Sequence, residues 1–149
     1  MKIDINLIKK LREETGVAIL RVREVLAETG GNEKKALAIL KKEGLAKVAK
    51  REGRETGQGK VFAYSHHTGK VVGVVELFSE TDFVARNDLF ETLGKGLAMQ
   101  AASMGSKDFA TKEFIKDPAQ KVGDLLKELS AKTGENIKLG RVYQIELGK

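Results

Sequence analysis

The stretch that most constrains this chain is an almost continuously apolar run, Val71-Val72-Gly73-Val74-Val75-Glu76-Leu77-Phe78, which leads into Ser79-Glu80-Thr81-Asp82-Phe83-Val84-Ala85-Arg86-Asn87-Asp88. A short apolar run rich in valine reads as a buried strand. Beyond it, apolar side chains recur at helical spacing at Phe90, Leu93, Leu97, Ala101 and Met104, and Asp88 with Glu91 reads as a capping-box start for that helix. Residues 79–88 are therefore a strand-to-helix junction, held at both ends and open to solvent in the middle. Phe83 sits in it between Asp82 and Arg86. Either its ring plugs the core beneath the helix, with Asp82 a plain cap, or it protrudes as a rigid apolar knob.

The rest of this half follows from the same patterns. Val61-Phe62-Ala63-Tyr64 alternates and His66-His67-Thr68-Gly69 makes a turn, so the buried strand is the second arm of a hairpin. Ser106 to Lys116 reads as a polar loop, and Asp117-Pro118 as the start of a second helix with Pro at its first position. Val122, Leu125, Leu126 and Leu129 form that helix's stripe, and Gly134 ends it. Ile137, Leu139, Tyr143, Ile145 and Leu147 alternate with Lys138, Gly140, Gln144 and Glu146, which predicts a last strand with one buried face. The expected unit is a three-stranded antiparallel sheet covered by two helices. Two helices cover one face only, so the other carries Val, Tyr and Phe side chains into water, the mark of a partner or self-association surface.

The first third of the chain predicts a minimal three-helix bundle. Helix one spans about Asp4 to Glu14, capped by Asp4 or Asn6, with Ile8 and Leu11 inward. Helix two spans about Val17 to Glu28, with Ala18, Val22, Val25 and Leu26 inward. Asn32 caps helix three, which carries Ala36, Leu37 and Leu40 inward as far as Gly44. The basic stretch after it, through Lys47, Lys50, Arg51 and Arg54, reads as a solvated helix fraying into a glycine-rich hinge. The fold class is α+β, with residues 1–55 a helical domain plus basic linker and residues 56–149 an α+β core and dimerisation domain.

Charge is unevenly placed. Residues 1–60 hold 15 Lys and Arg against 9 Asp and Glu, whereas the remainder holds 12 of each, so the whole net charge of +6 lies in the first part. Such a region is a solvated helical face or docks on an acidic protein or nucleic acid. There is no cysteine, no apolar run of membrane-spanning length and no secretory leader at the start, which fits a cytoplasmic protein. Catalytic chemistry is not legible. His66-His67 lacks a third ligand, the serines lack a nucleophile elbow, and Gly53, Gly57 and Gly59 match no phosphate loop. The basic stretch carries no aromatic for stacking on bases, so phosphate contact is conceivable but base reading is unsupported. No enzyme activity and no cofactor are expected. A nucleic-acid-binding helical module and a non-catalytic adaptor stay open on these grounds.

Four motifs narrow the choice. Leu11-Arg12-Glu13-Glu14-Thr15-Gly16, Gly44-Leu45-Ala46-Lys47-Val48-Ala49-Lys50-Arg51, Glu80-Thr81-Asp82-Phe83-Val84-Ala85-Arg86-Asn87 and Gly134-Glu135-Asn136-Ile137-Lys138-Leu139-Gly140-Arg141-Val142 resemble, in order and over essentially the whole chain, the bacterial elongation factor Ts family. The resemblance implies a guanine-nucleotide exchange factor for elongation factor Tu, the GTPase that delivers aminoacyl-tRNA. It implies that the helical part is a ubiquitin-associated-like domain docking on the GTPase's nucleotide-binding domain. It implies that the Thr81, Asp82, Phe83 and Val84 junction inserts near the Mg²⁺ and phosphate end of the nucleotide site. Arg12, Lys50 and Arg51 fall where the family has basic residues near the partner. Ile19 and Leu20 replace a pair of family methionines as apolar contacts, and Arg21 stands where an Asp is usual. Compact members of the family carry a longer helical insert between Gly105 and Val122, and some pair as homodimers through the sheet. The resemblance implies neither a membrane nor direct nucleic acid as partner.

Overall fold

Helix α1 (Ile5–Thr15) begins where the Asp4 carboxylate accepts the Asn6 N–H at 2.9 Å, and ends at Gly16, whose φ of 68° lets its N–H reach the Arg12 carbonyl. In this computed structural model, which describes residues 2–149, Asp4 rather than Asn6 is thus the cap. Helix α2 (Ile19–Glu28) starts later than its apolar pattern suggests, and Val17, not Ala18, is the residue buried at its approach. Helix α3 (Glu33–Arg51) is capped by Asn32, whose side chain accepts the Lys35 N–H at 3.0 Å.

Gly44 does not stop α3. The helix runs through it to Arg51, and Val48 in the basic stretch is buried. One helical glycine costs about 1 kcal/mol, which flanking Lys, Leu and Ala residues and tertiary packing offset. The packing is visible: a Cβ at Gly44 would meet that of Ala131 at 3.7 Å, on helix α6 (Val122–Thr133). The two helices pack together at Gly44, at a separation where an added Cβ would make an ordinary contact.

The sheet has the order β1 (Gln58–Ser65), β2 (Val71–Ser79), β5 (Lys138–Glu146), antiparallel throughout, with the apolar run at its centre. After β2 comes one helical turn, α4 (Asp82–Ala85), then the long helix α5 (Asp88–Met104). The cap of α5 is Asn87, whose side chain accepts the Leu89 N–H at 2.8 Å; Glu91, expected to complete a capping box, instead pairs with Lys60. Helix α5 lies close on β1 and β2. A Cβ at Gly73 would run into the Ala98 and Ala102 backbone, and one at Gly94 into the Phe62 ring. Phe62, Val75, Leu77, Phe90 and Leu97 form the centre of this core.

Two expectations fail between α5 and β5. The segment read as a polar loop contains a 3₁₀ turn (Phe109–Thr111) and strand β3 (Glu113–Phe114), and it buries Phe109 and Phe114 in the core. Asp117-Pro118 opens strand β4 (Asp117–Lys121), not a helix, and α6 starts only at Val122. Gln100, buried on α5, directs this: its amide donates to the Glu113 carbonyl at 3.1 Å and its oxygen accepts the Ile115 N–H at 3.0 Å. A long-range side chain overrides the local proline signal.

The last strand also departs from its reading. Its pairing slips between Val75 and Leu77, so that Gly140 and Arg141 both lie opposite Glu76. A bulge of one residue reverses the inward and outward alternation beyond it. Ile137 and Leu139 therefore face the core as expected, whereas Tyr143, Ile145 and Leu147 point to the uncovered face and are largely exposed. That face also carries Val61 and Val74, the apolar surface foreseen from counting helices.

A second apolar cluster, with Leu11, Val22, Val25, Leu26 and Leu40 at its centre, holds α1 to α3 together. Helix α6 lies between the two clusters: Gly16 and Gly44 both approach Ala131, and the Arg51 guanidinium donates to the Ser130 carbonyl at 3.0 Å. The architecture is the expected α+β one. Among the described residues no helix is long and apolar enough to cross a membrane.

Candidate functional site

At the end of β2 the chain must leave the sheet, turn, and enter α4 within a few residues. Ser79 is buried and its hydroxyl donates to the Thr81 carbonyl at 2.8 Å. Thr81 caps α4, accepting the Val84 N–H at 3.4 Å. Glu135, from the loop between α6 and β5, accepts at one oxygen the N–H groups of Glu80 (3.1 Å) and Thr81 (2.9 Å), and at the other the Thr81 hydroxyl (2.7 Å). The Glu80 carboxylate returns the contact, accepting the Asn136 N–H at 2.6 Å, and Arg54 stands 3.6 Å from it. The buried Asn136 side chain donates to the carbonyls of Glu52 (3.3 Å) and Arg54 (2.9 Å), just past the end of α3.

On this base the junction presents its side chains. Ala85 is buried and Val84 packs against the core. Phe83 points outward and is 78% exposed, so it is not a plug beneath α5. Asp82 is not the cap. It occupies the first helical position and pairs with Arg86 at 3.1 Å, while the Arg86 guanidinium also lies 5.6 Å from the Phe83 ring centre. An acid at a helix start is favoured by the helix dipole, and the cation over the ring adds a weak restraint. What the site offers is an oriented aromatic ring flanked by a carboxylate. Among the described residues no three His, Cys, Asp or Glu side chains converge to hold a metal ion.

The other expected contacts lie on the helical part. Arg12 is exposed in the last turn of α1, and Ile19 and Leu20 are exposed at the start of α2, so neither belongs to the core. Lys50 is exposed in the last turn of α3. Arg51 is half-buried and tied to α6, then onward through the Ser130 hydroxyl, which donates to the Glu135 carbonyl at 2.6 Å. The structure thus places Thr81, Asp82, Phe83 and Val84 on one turn and links Arg51 to it through Ser130 and Glu135, whereas Arg12, Ile19 and Leu20 are exposed on α1 and α2. Arg21 is not a free cation: Glu43 (2.6 Å), Glu24 (3.0 Å) and Glu28 (3.3 Å) surround it, raising its pKa and lowering that of Glu43.

Glu80, Glu135 and Asn136 were not legible as site residues. The signal that finds them is register: Phe78 pairs with Lys138, so the residues leaving β2 lie beside those entering β5.

A family model described as Elongation factor TS matches residues 80–149, from the junction to the end of the chain. A protein of Leptospira biflexa named elongation factor Ts is 37% identical over 196 aligned positions, which cover 99% of both chains. The chain belongs to the elongation factor Ts family. A second elongation factor Ts, of Fervidobacterium nodosum, is 41% identical over 135 residues, 91% of this chain and 68% of that protein. A third, of Thermotoga maritima, is 35% identical over 195 positions that cover 100% and 98%. An alignment of 196 positions against a chain of 149 residues leaves at least 47 positions of the Leptospira elongation factor Ts without a counterpart here. Part of that relative's chain therefore has no counterpart in this one.

Proposed function

We propose that this protein is a guanine-nucleotide exchange factor that binds elongation factor Tu in its GDP form and speeds GDP release without covalent chemistry. Membership of the elongation factor Ts family supports the role. The observation that carries the mechanism is Phe83, exposed on a turn whose backbone is held by Glu135. In this reading the Thr81–Val84 turn enters the GTPase near the Mg²⁺ and phosphate end of its nucleotide site. Arg12, Ile19, Leu20, Lys50 and Arg51 on the helical part dock on the nucleotide-binding domain, and residues 56–149 deliver the wedge. Burying an aromatic ring stabilises a complex by roughly 2–3 kcal/mol, enough to hold a neighbouring helix in a displaced position. By linkage, a factor that binds the empty GTPase more tightly than the loaded one weakens the nucleotide in the same ratio, and incoming nucleotide expels it.

The decisive experiment is stopped-flow release of labelled GDP from elongation factor Tu with and without this protein. Acceleration that Phe83→Ala cuts about 30-fold or more, with little change in melting temperature, is the expected result. Binding without acceleration makes the protein an adaptor, and steep salt-dependent binding to unrelated duplexes makes it a nucleic-acid module.

The uncovered sheet face favours a second element of this reading, a homodimer. Exposed Val61, Tyr143, Ile145 and Leu147 and half-buried Val74 share the uncovered face of the three-stranded sheet, with the Glu76–Arg141 pair among them. A second copy provides a surface of the same shape, as a two-fold interface requires. It also supplies contacts that the shortened chain lacks.

A further inference from the structure

An exposed aromatic that acts as a wedge has a difficulty: the ring lies outside the core, and the exposed Arg86 guanidinium beside it is only a weak restraint on its direction. Phe83 is the one exposed phenylalanine among the described residues, so a firmer restraint on its direction has to act through its backbone. Glu135 is placed to do so. Both its oxygens are engaged, one by two successive N–H groups of the junction and the other by the Thr81 hydroxyl. Because that hydroxyl directs its proton to Glu135, only its lone pairs face the Val84 N–H. The carboxylate therefore fixes the approach to α4 and the polarity of its cap together.

The contact is reciprocal. Each loop lends a carboxylate to the other's backbone, Glu135 to Glu80 and Thr81, and Glu80 to Asn136. The Asn136 side chain then holds the carbonyls of Glu52 and Arg54. A continuous set of hydrogen bonds runs from the exit of α3, through Asn136 and Glu80, to the turn that carries the ring.

We infer that Glu135 is a positioning residue for Phe83, and that the Glu80–Glu135–Asn136 clasp couples the direction of the ring to the end of α3. The helices that dock and the ring that wedges are thereby presented to the GTPase in one fixed relation. The inference rests on the exchange reading above, since the direction of the ring matters only if Phe83 acts on the nucleotide site.

The test titrates elongation factor Tu carrying labelled GDP with full-length wild type, Glu135→Gln, Phe83→Ala and the double variant. Glutamine keeps the size of the side chain but turns one acceptor into a donor. Glu135→Gln is expected to lower the maximal rate of GDP release about 10-fold while leaving the half-saturating concentration within about 2-fold, the signature of a group displaced by a fraction of an ångström. The double variant is expected to be no slower than Phe83→Ala alone, because a clasp that acts through the ring has nothing left to orient. An unchanged rate for Glu135→Gln beside a slowed Phe83→Ala overturns the inference alone. So does an additive loss in the double variant, which places the action of Glu135 elsewhere. A Phe83→Ala variant of full activity overturns the exchange reading and the inference with it. Should Glu135→Gln fail to fold, Glu80→Gln attacks the same clasp from the opposite loop. It is expected to show the same split, and an unaltered maximal rate counts against the clasp.

Discussion

At Glu76 and at Glu135 a carboxylate gathers donors from a neighbouring segment and holds a departure from regular structure in place, but the donors and the product differ. Glu76 accepts from the Arg141 backbone (2.9 Å) and from its guanidinium (3.0 and 2.9 Å), fixing the bulge in β5. The cation holds the Glu76 carboxyl well below the usual range, at about 2, and raises the pKa of Arg141. Glu135 accepts from neutral groups only. The bulge turns Tyr143, Ile145 and Leu147 outward and makes a broad apolar plane; the clasp presents one ring. A plane fits another plane, whereas a single ring fits a cleft. The contrast teaches that small backbone irregularities, each secured by one glutamate, set which kind of partner each surface can take.

The largest effect expected is at the ring. Phe83→Ala removes roughly 2–3 kcal/mol of transfer free energy, about 30-fold or more in the maximal rate of GDP release. Because the ring is largely exposed and lies outside the core, the melting temperature should move by no more than about 2–4 °C. A large fall in melting temperature with normal exchange would erase the distinction between ring and core. Next is the plane. Ile145→Lys places a charge where an apolar side chain is 68% exposed in the single chain, and self-association measured by sedimentation should weaken about 10-fold or more. If association is unaltered, the plane is not where copies meet.

Both surfaces were partly legible in the sequence, and the limits are instructive. The exits of α1 and α6 lie at glycines, the hairpin turn lies at His66 to Gly69, and the junction opens between a buried strand and a long helix; all of these depend on neighbours within a few residues. What was misread depends on distant contacts. Gly44 resembles a stop, but lies within a helix that packs on α6 beside Ala131; Asp117-Pro118 resembles a helix start, but Gln100 draws the preceding segment into a β arrangement. The bulge escapes an alternation count, because its cause is Glu76 on another strand. Phe83 could be placed in the junction but not oriented, since Glu135 holds the preceding Thr81 from 54 residues away in the chain.

A smaller effect tests the end of α3, to which the clasp connects. Lys50 is exposed, so Lys50→Glu should weaken docking on the GTPase about 3-fold at low salt and less at higher ionic strength, with the maximal rate unchanged. Arg51 serves the same test less cleanly, because its guanidinium also holds the Ser130 carbonyl. Affinity that ignores salt would remove charge from the docking surface and leave Ile19 and Leu20 to account for it.

The last effect is one on stability rather than on exchange, and it belongs to Glu76. Its folded pKa, about 2, lies below the ordinary value of 4.5, so between these values the unfolded chain binds more protons than the folded one. The Glu76 contribution to stability is therefore complete above the ordinary glutamate range and is lost as pH falls toward 2. Glu76→Gln removes that dependence, so wild type and variant should converge in stability as the solution is acidified through this window. Measured by chemical denaturation at a series of pH values, a difference between them that stays constant down to pH 2 would mean that the Arg141 pair does not secure the bulge. The outward turn of Tyr143, Ile145 and Leu147 would then need another cause, and Gly140 is the place to look: a Cβ there would press on the Glu76 and Phe78 side chains.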